Sequence, residues 1–428
     1  AAGVAQGQAG PKSASEHGTS AQARGPRLGG ELRWVARHVD NGGVGLAPAV
    51  PANYDDLAQR LQVRVDWLAP AGLGGALEVG TYAIKGTPAP VPASQRNPLD
   101  LALAYADWAL PRQEPGELIL RVGRQELVFG SSRMTSARDG ANLRQAFDGF
   151  RVGVRPIAWP DWRVDAFVAR PVLARDGSFD DTSQNARPFN GVYATHTEWA
   201  SSGAAKGLDV YLLSHGRSGP PATSVGESIQ RQTLGLRSFG RQDGWDWDIE
   251  AAAQIGQAPS ARVRAFTWAN DVGYTSSELP GSPRWGLKVD LSSGDSRPGQ
   301  GRITTFDVPF PKLPYLSEVG TTSPSNILDI HPSVTLTPAA GWRLSAECAW
   351  IWKHRRADAY YLPGGSPVHA TFRQSRRLGY QPQVVALWQS GDTTVRTALA
   401  RHVVGEGLRV AKAKDSSLAL VSVSFRFQ

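Results

Sequence analysis

The sequence has a single cysteine, Cys348, and only one methionine among its 428 residues. One cysteine excludes an internal disulfide framework and any zinc site built from several cysteines. No run of about 18 apolar residues occurs, which excludes a transmembrane helix. Lysine is also scarce, with 8 among the 46 basic residues. This excess of arginine favours bidentate recognition of carboxylate or phosphate, whereas a net charge of +8 without basic runs does not indicate nucleic acid.

Large apolar side chains are almost absent from the first 26 residues, which are rich in Ala, Gly, Ser and Gln. Such a composition cannot bury enough surface to fold by itself. We therefore predict a disordered periplasmic tail over residues 1–27 and one folded domain over residues 28–428. Because the chain begins at Ala1, we also expect that a leader has been removed.

From Gly30 onward the sequence alternates with a period of two. In the segment 60–68 the apolar residues stand at odd positions, from Leu61 to Trp67, and the polar residues stand between them. The segment from Trp247 to Ile255 shows the same pattern. Alternation of this kind is typical of strands with one apolar and one polar face. It fits a soluble sandwich or a transmembrane barrel.

Three observations favour the barrel. The alternating segments are long enough to cross a bilayer at a tilt, the polar face carries charges of both signs at mid-strand, and aromatic residues stand near the segment ends, as an interfacial girdle requires. The tryptophans at these ends are Trp34, Trp67, Trp108, Trp199, Trp247, Trp285, Trp352 and Trp388.

The connections between the segments alternate in length. Short turns are predicted near residues 70–72, 111–116, 156–161, 202–206, 242–244, 276–282, 338–341 and 390–392. Long loops are predicted near residues 41–56, 86–97, 129–142, 173–186, 217–226, 293–325, 355–374 and 403–415, with 257–261 as a short exception. This asymmetry predicts an antiparallel β-barrel of about eighteen strands, with short periplasmic turns and long extracellular loops.

One stretch, Val122–Val152, stands out because a Gly/Ser-rich loop carrying Arg133, Arg138 and Arg144 separates two alternating segments. Such a loop could fold back over a pore and set its charge, or it could be a solvated basic hairpin loop. The sequence leaves both readings open.

Strand parity assigns side chains to the polar, lumenal face. An arginine on the lipid face would cost about 2–4 kcal/mol near the bilayer midplane, so inward positions are strongly preferred. Arg124 and Asp148 have the wrong parity and require either a bulge at Gly123 or Gly149 or a position at the rim. The predicted inward residues are Arg33, Arg37, Arg60, Arg64, Asp66, Asp107, Arg121, Arg151, Arg231, Arg237, Glu250, Lys288, Asp290, Arg343, Glu347 and Arg396.

Several motifs together resemble the alginate export family of outer-membrane porins. The first is Gly123-Arg124-Gln125, followed by the loop arginines and by Phe147-Asp148-Gly149 with Arg151. The second is residues 232–237 leading into 245–254, and the third comprises residues 293–295, 305–306, 309–311 and 326–331. The resemblance runs in order from about Gly30 to the C-terminus. It implies an eighteen-stranded barrel with an arginine-rich constriction for an acidic polysaccharide, and no cofactor.

Other functional classes have weaker support. The eight histidines form no His-Glu-x-x-His motif, so a metal site is not predicted. Asp243, Asp246 and Asp248 lack the glycine and closing glutamate of a calcium loop. The segment 292–296 lacks the Gly-x-Ser-x-Gly turn of a serine hydrolase, although a barrel-borne Ser/His hydrolase stays a remote alternative. A soluble β-sheet binding protein is the other competitor.

We therefore predict a passive, anion-preferring outer-membrane channel without enzymatic activity. Its partners would be an alginate-like acidic polysaccharide, outer-membrane lipid and periplasmic secretion proteins; uptake of acidic oligosaccharides or small anions is the alternative to export. Replacing Arg124, Arg144 and Arg151 together by Glu is expected to abolish the anion preference. The predicted pore-lining residues are Arg33, Arg37, Arg64, Arg121, Arg124, Arg133, Arg138, Arg144, Asp148, Arg151, Arg237, Glu250, Lys288, Arg343, Glu347 and Arg396.

Overall fold

The computed structural model describes residues 24–47, 52–87, 91–110, 116–199, 204–217 and 228–428. Parts of the predicted tail and of the connections at 41–56, 86–97, 111–116, 202–206 and 217–226 lie outside these ranges, as does the side chain of Trp199. No helix in the described ranges is long and apolar enough to cross a membrane. The one α-helix there, α1, has only four residues, Glu406–Arg409.

Regular structure in the described ranges is almost entirely strand, as the period of two predicts. In chain order the strands are β1 (Arg24–Asp40), β2 (Tyr54–Leu68), β3 (Leu73–Lys85), β4 (Asn97–Leu110), β5 (Glu117–Gln125), β6 (Phe147–Arg155), β7 (Trp162–Leu173), β8 (Thr182–Ser183), β9 (Phe189–Trp199), β10 (Ala205–Arg217), β11 (Ile229–Gln242), β12 (Trp245–Ala258), β13 (Ala261–Thr275), β14 (Arg284–Ser292), β15 (Arg302–Ile303), β16 (Ile327–Leu336), β17 (Trp342–Lys353), β18 (Tyr360–Leu362), β19 (Ser366–Val368), β20 (Arg377–Ser390), β21 (Thr393–Val404) and β22 (Ser416–Phe427).

Eighteen of the strands described form one closed antiparallel barrel, and the short strands β8, β15, β18 and β19 lie outside that ring. Each barrel strand pairs with the next one in the chain, and β22 returns to pair with β1. This seam runs from the pair Gly30 and Phe427 to the pair Asp40 and Ser417. The predicted barrel and strand number are confirmed, and closure leaves no unpaired sheet edge.

The connections alternate in length around the barrel, which confirms the predicted asymmetry. The turns 69–72, 243–244 and 391–392 lie at one end, and the loops 126–146, 293–326 and 354–376 lie at the other. The connection 259–260 is the predicted short exception at the long-loop end.

The two faces of the wall have opposite chemistry. Outward positions carry exposed apolar side chains such as Phe150 and Leu399, each 65% exposed. Inward positions of β12 carry the buried polar side chains Glu250 and Gln254, which follow the predicted alternation. An apolar outer face and a polar inner face are the arrangement that a lipid-embedded barrel requires.

Two long loops turn inward and fill part of the lumen. We call residues 126–146 the first inner loop and residues 293–326 the second inner loop. Phe129 of the first and Phe306 of the second belong to one buried apolar cluster, together with the wall residues Phe147 and Phe189. The loops therefore pack against the wall and against each other, and they narrow the lumen at mid-barrel.

Candidate functional site

The first inner loop is fixed to the wall at β1 and β2 by ion pairs. Asp139 accepts Arg60 Nη1 at 2.8 Å and lies 3.7 Å from Arg33 Nη1. Arg33 also donates to the backbone oxygens of Asp139 and Ala141, both at 2.8 Å. Burial alone would raise the pKa of Asp139, but the surrounding Arg60, Arg33 and Arg144 outweigh it and lower that pKa. Asp139 thus stays ionised and holds the loop.

The same loop also reaches the opposite side of the barrel. Arg133 Nη1 lies 2.8 Å from Asp248 Oδ1 and 3.3 Å from Glu250 Oε2 on β12. Ser131 Oγ donates to Glu250 Oε2 at 2.8 Å. Burial would lower the pKa of Arg133, but Asp248, Asp290 and Glu250 raise it well above its usual value. The loop therefore spans the lumen from β1 to β12, which is the inward of the two readings that the sequence allowed.

Short contacts join the two inner loops. Lys312 N donates to Ser132 O at 2.9 Å, and Phe310 N donates to Met134 O at 3.1 Å. Gly140 allows the closest approach, because a Cβ added there would lie 2.1 Å from Leu313 O. The constriction is therefore one unit built from both loops.

Most predicted pore-lining cations have a carboxylate partner. Arg144, for example, contacts Glu78 at 2.7 Å and Glu126 at 2.9 Å. The other wall pairs are Arg37–Asp56 at 2.8 Å, Arg64–Asp66 at 2.7 Å, Arg121–Asp107 at 2.7 Å, Arg151–Asp165 at 2.8 Å, Arg237–Asp209 at 2.7 Å, Lys288–Glu347 at 2.8 Å and Arg396–Glu318 at 2.5 Å. The predicted inward residues therefore lie together along the wall, but each cation and its carboxylate partner form a nearly neutral pair.

Arg124 and Asp148 occupy a different place from the one that a pore-lining role requires. They are Cα partners in β5 and β6, and the register there continues without a bulge. Both keep the outward parity of Val122 and Phe150, which are exposed. Arg124 Nε lies 2.9 Å from Asp148 Oδ1, and the pair is near the long-loop end. This is the rim position, and neither side chain lines the lumen.

Arg343 is also isolated from the constriction, because it is the second residue of β17 and lies exposed at the short-turn end.

Four arginines lie at the long-loop side of the constriction, and two of them, Arg187 and Arg231, interact with the carboxylate of Asp307. We call Arg138, Arg187, Arg217 and Arg231 the cation cluster. Arg231 Nε is 3.7 Å from Asp307 Oδ2, and His215 Nε2 is 3.5 Å from the same oxygen. Asp307 also interacts electrostatically with Arg187, which in turn faces Arg217 and Arg138.

Phe310 supports two members of the cation cluster. The guanidinium carbons of Arg138 and Arg187 lie 5.4 Å and 5.5 Å from its ring centroid, within cation–π range. Burial and the neighbouring Arg187 lower the pKa of Arg138 to about 10. Among the residues described, no carboxylate lies within 4.0 Å of the Arg138, Arg187 or Arg217 guanidinium. The cluster therefore carries an excess of positive charge.

The sequence reasoning included Arg138 and Arg231 but missed Arg187 and Arg217. Arg217 shares the parity of the inward residue His215, so strand alternation could have found it. Arg187 lies in the loop 174–188, where no periodicity assigns a direction. Its place beside Phe310 depends on a contact between two long loops.

One group of carboxylates in the described ranges could hold a metal ion. Asp100, Asp180 and Asp181 have oxygens within 4.8 Å of one another. Arg124 Nη1 is 3.8 Å from Asp100, and the backbone N–H groups of Asp180 and Asp181 donate to Asp100 at 3.0 Å and 3.2 Å. These contacts tie Asp100 on β4 to Arg124 on β5 and to the loop that carries Asp180 and Asp181.

Comparison with known proteins identifies the family of this chain. A family model described as alginate export matches residues 27–422. The chain belongs to the alginate export family. No curated protein matches the sequence. The alginate export match confirms the resemblance that the sequence motifs predicted.

Solved structures share the fold of this chain. OpdO of Pseudomonas aeruginosa is 12% identical, with a TM-score of 0.59, and the match covers 94% of this chain and 97% of that one. OccK9 (OpdG) of the same organism is 12% identical, with a TM-score of 0.60 over 94% and 98%. OccK2 (OpdF), solved in complex with glucuronate, is 12% identical, with a TM-score of 0.57 over 94% and 96%.

The family and the barrel together make this chain an outer-membrane protein of the porin type. Its short turns face the periplasm and its long loops face the exterior. The constriction therefore lies between an extracellular vestibule that contains the cation cluster and a periplasmic vestibule lined by paired charges.

Proposed function

We propose that this member of the alginate export family is a passive channel for an acidic polysaccharide, such as alginate or its oligomers. The observation that carries the proposal is the cation cluster, in which Arg231 and Arg187 interact with Asp307 while Arg217 and Arg138 neighbour other arginines of the cluster. A guanidinium binds a carboxylate through two parallel hydrogen bonds. A chain of sugar acids offers one carboxylate to each such group in turn.

Transport also requires that each site release its ligand. Asp307 does this by competing with an incoming carboxylate for the same arginines. Partial removal from water would raise the pKa of Asp307, but the contacts with His215 and Arg231 outweigh it and keep the pKa below its usual range, so this competitor stays ionised. Conduction needs a site that binds its ligand weakly enough to release it again.

Two comparisons support an acidic sugar as the cargo. The matching family is described as alginate export, and OccK2 was solved with glucuronate, a sugar acid. On the family description we propose movement outward. Uptake of acidic oligosaccharides is the second candidate, and the place of the cation cluster favours it, because a ligand arriving from outside meets these arginines before the constriction.

The test is block of ionic current by an oligouronate in planar bilayers. Replacing Arg138 and Arg187 together by Gln is expected to weaken the block at least tenfold, because two unneutralised guanidinium groups are lost. The control replaces Arg262 and Arg264, which are exposed and share the outward parity of Phe266 on β13, by Gln. Block from the long-loop side only would favour uptake, whereas block from both sides is expected for a polymer conduit.

Unchanged block in the Arg138/Arg187 variant would contradict the proposed binding site. Replacing Arg124, Arg144 and Arg151 together is less informative, since Arg124 faces outward and Arg144 contacts both Glu78 and Glu126. Equal loss in the control variant would point to general surface charge instead of the cluster.

A further inference from the structure

An apolar groove of ≈ 820 Å³ runs across the outer wall over strands β14, β16, β17, β20 and β21. Its floor consists of small side chains in one row: Pro332, Cys348 and Pro382 are neighbours across β16, β17 and β20. The taller side chains of Trp285 and Leu399 flank this row. The groove is therefore a local depression in the surface that faces the lipid.

The two prolines explain why the outer surface of the wall is recessed at this position. Proline cannot donate to a strand ladder, so it is unusual inside a sheet. The pairing of β16 with β17 is interrupted at His331 and Pro332, and that of β20 with β21 is interrupted at Gln381 and Pro382. Both rings replace longer lipid-facing side chains, and Cys348 between them is small as well.

The groove rises toward the extracellular rim. The row that contains Pro382 continues to Arg401 on β21 and to Ser417 on β22. Pro332 is the sixth residue from the long-loop end of β16, whereas Ser417 is the second residue of β22. A chain lying in the groove would therefore run from the middle of the apolar band up to the outer interface.

Cations collect where the groove reaches the rim. We call Arg376, Arg377, Arg401, Arg409, Lys412 and Lys414 the basic rim patch; all six are exposed. Gly405 and Gly407 pack against the backbone of Arg377, and Arg409 Nε donates to Val404 O at 3.2 Å, so Arg377 and Arg409 are held at the same part of the rim.

The extracellular segments that carry the six cations also carry two carboxylates. Arg401 lies 3.1 Å from Asp415, and Glu406 is exposed on α1. His38, at the upper edge of the groove, lies 2.7 Å from Asp55 and 3.6 Å from Asp40, so this edge adds two carboxylates, which the six cations outnumber even together with Asp415 and Glu406. The patch keeps a positive surplus directly above an apolar groove.

We propose that the groove and the basic rim patch together bind one phosphorylated glycolipid of the outer leaflet. Its acyl chain lies on Pro332, Cys348 and Pro382, and its phosphates contact the rim arginines. Charge complementarity selects this occupant, because guanidinium groups bind phosphate bidentately and exposed basic clusters at a membrane surface attract anionic head groups. The site is independent of the transported substrate.

The test is native mass spectrometry of the full-length barrel in detergent, titrated with lipid A that carries two phosphates. Replacing Arg377, Arg401 and Arg409 together by Ser is expected to lower its affinity at least tenfold. The matched control replaces Arg262, Arg264 and Arg302, which are exposed elsewhere near the long-loop end, and is expected to change affinity less than twofold.

A second variant tests the groove itself. Cys348→Trp fills the floor from the lipid side and is expected to weaken lipid A binding at least fivefold while the arginines remain. Heat-modifiable migration in gels checks that each variant is folded. Equal losses in the triple and control variants would overturn the site, as would lipid A binding that Cys348→Trp leaves intact.

Two further outcomes would also overturn the proposal. One is full displacement of lipid A by inorganic phosphate, which would show a head-group site without an acyl groove. The other is a dimer mass that Cys348→Trp abolishes while lipid binding persists, which would make the groove an interface between two copies.

Discussion

At the residue scale, Lys312 lies among charged side chains at the point where the two inner loops meet. Its backbone joins the two inner loops, and its amine is buried near Arg133, Lys288 and Asp290. Burial, followed by the repulsion from Arg133 and Lys288, lowers the pKa of Lys312 to about 8. The amine is therefore charged below pH 8 and neutral above it, so one positive charge leaves the constriction as the pH rises.

We expect the chloride-over-potassium permeability ratio to fall about threefold between pH 6.5 and 9.5, since one charge about 6 Å from a passing ion in water is worth roughly 0.7 kcal/mol. Reversal potentials in planar bilayers measure this ratio. The Lys312→Gln variant should show a flat profile over the same range. A pH dependence that survives in this variant would assign the titration to another group.

A second residue-scale prediction concerns Lys353, which is fully buried at the end of β17. Its Nζ donates to Arg356 O at 3.1 Å, Asp358 O at 3.0 Å and Thr371 O at 2.6 Å. Lys353→Met leaves these carbonyls unpaired at about 1–3 kcal/mol each. Trypsin should then cut the loop 354–376 at least tenfold faster, with the exposed Lys412→Met as control. Unchanged cleavage would show that the loop is held by other contacts.

At the element scale, the first inner loop can be shortened without straining the barrel. Gln125 and Phe147 are Cα partners, so β5 and β6 can be joined directly. Replacing residues 130–141 by a short Gly-Ser linker should raise the single-channel conductance at least twofold, because the segment that crosses the lumen is gone. The same linker in place of the exposed turn residues 277–280 should leave conductance unchanged. Equal conductance in both variants would place the constriction elsewhere.

The strands and the inner loops differ in how far sequence can predict them. The strand from Trp245 to Ala258 follows from alternation, since local sterics and one-sided burial fix a period of two. The inward course of the first inner loop depends on Arg133 meeting Asp248 and Glu250, 115 and 117 residues away. No local pattern encodes such a pairing. Parity likewise identified the lumenal arginines but could not show that most are neutralised.

At the scale of the whole molecule, the seam between β1 and β22 is the contact that closes the ring. Ala36 and Val421 are Cα partners there, whereas Val423 pairs with Trp34. In a Cys348→Ser background, Ala36→Cys with Val421→Cys should form a disulfide, because paired Cα atoms lie about 4.5–5.5 Å apart. Ala36→Cys with Val423→Cys should not, since that diagonal is about 7–8 Å. Non-reducing gels separate the two, and the opposite pattern would mean a shifted register.

The paired wall charges have a consequence for the electrical behaviour of the pore. A lumen whose arginines carry their own carboxylates, as Arg121 does with Asp107 and Arg151 with Asp165, holds few mobile counter-ions. As in a gel with little net fixed charge, the Donnan potential of this lumen is small. A change in ionic strength therefore has little effect on the potential inside it. Discrimination between ions then cannot come from the mean field of the channel. Ion selectivity then depends on the few sites where the fixed charges do not cancel, just as an ion-exchange resin binds ions only at charged groups that have no fixed partner.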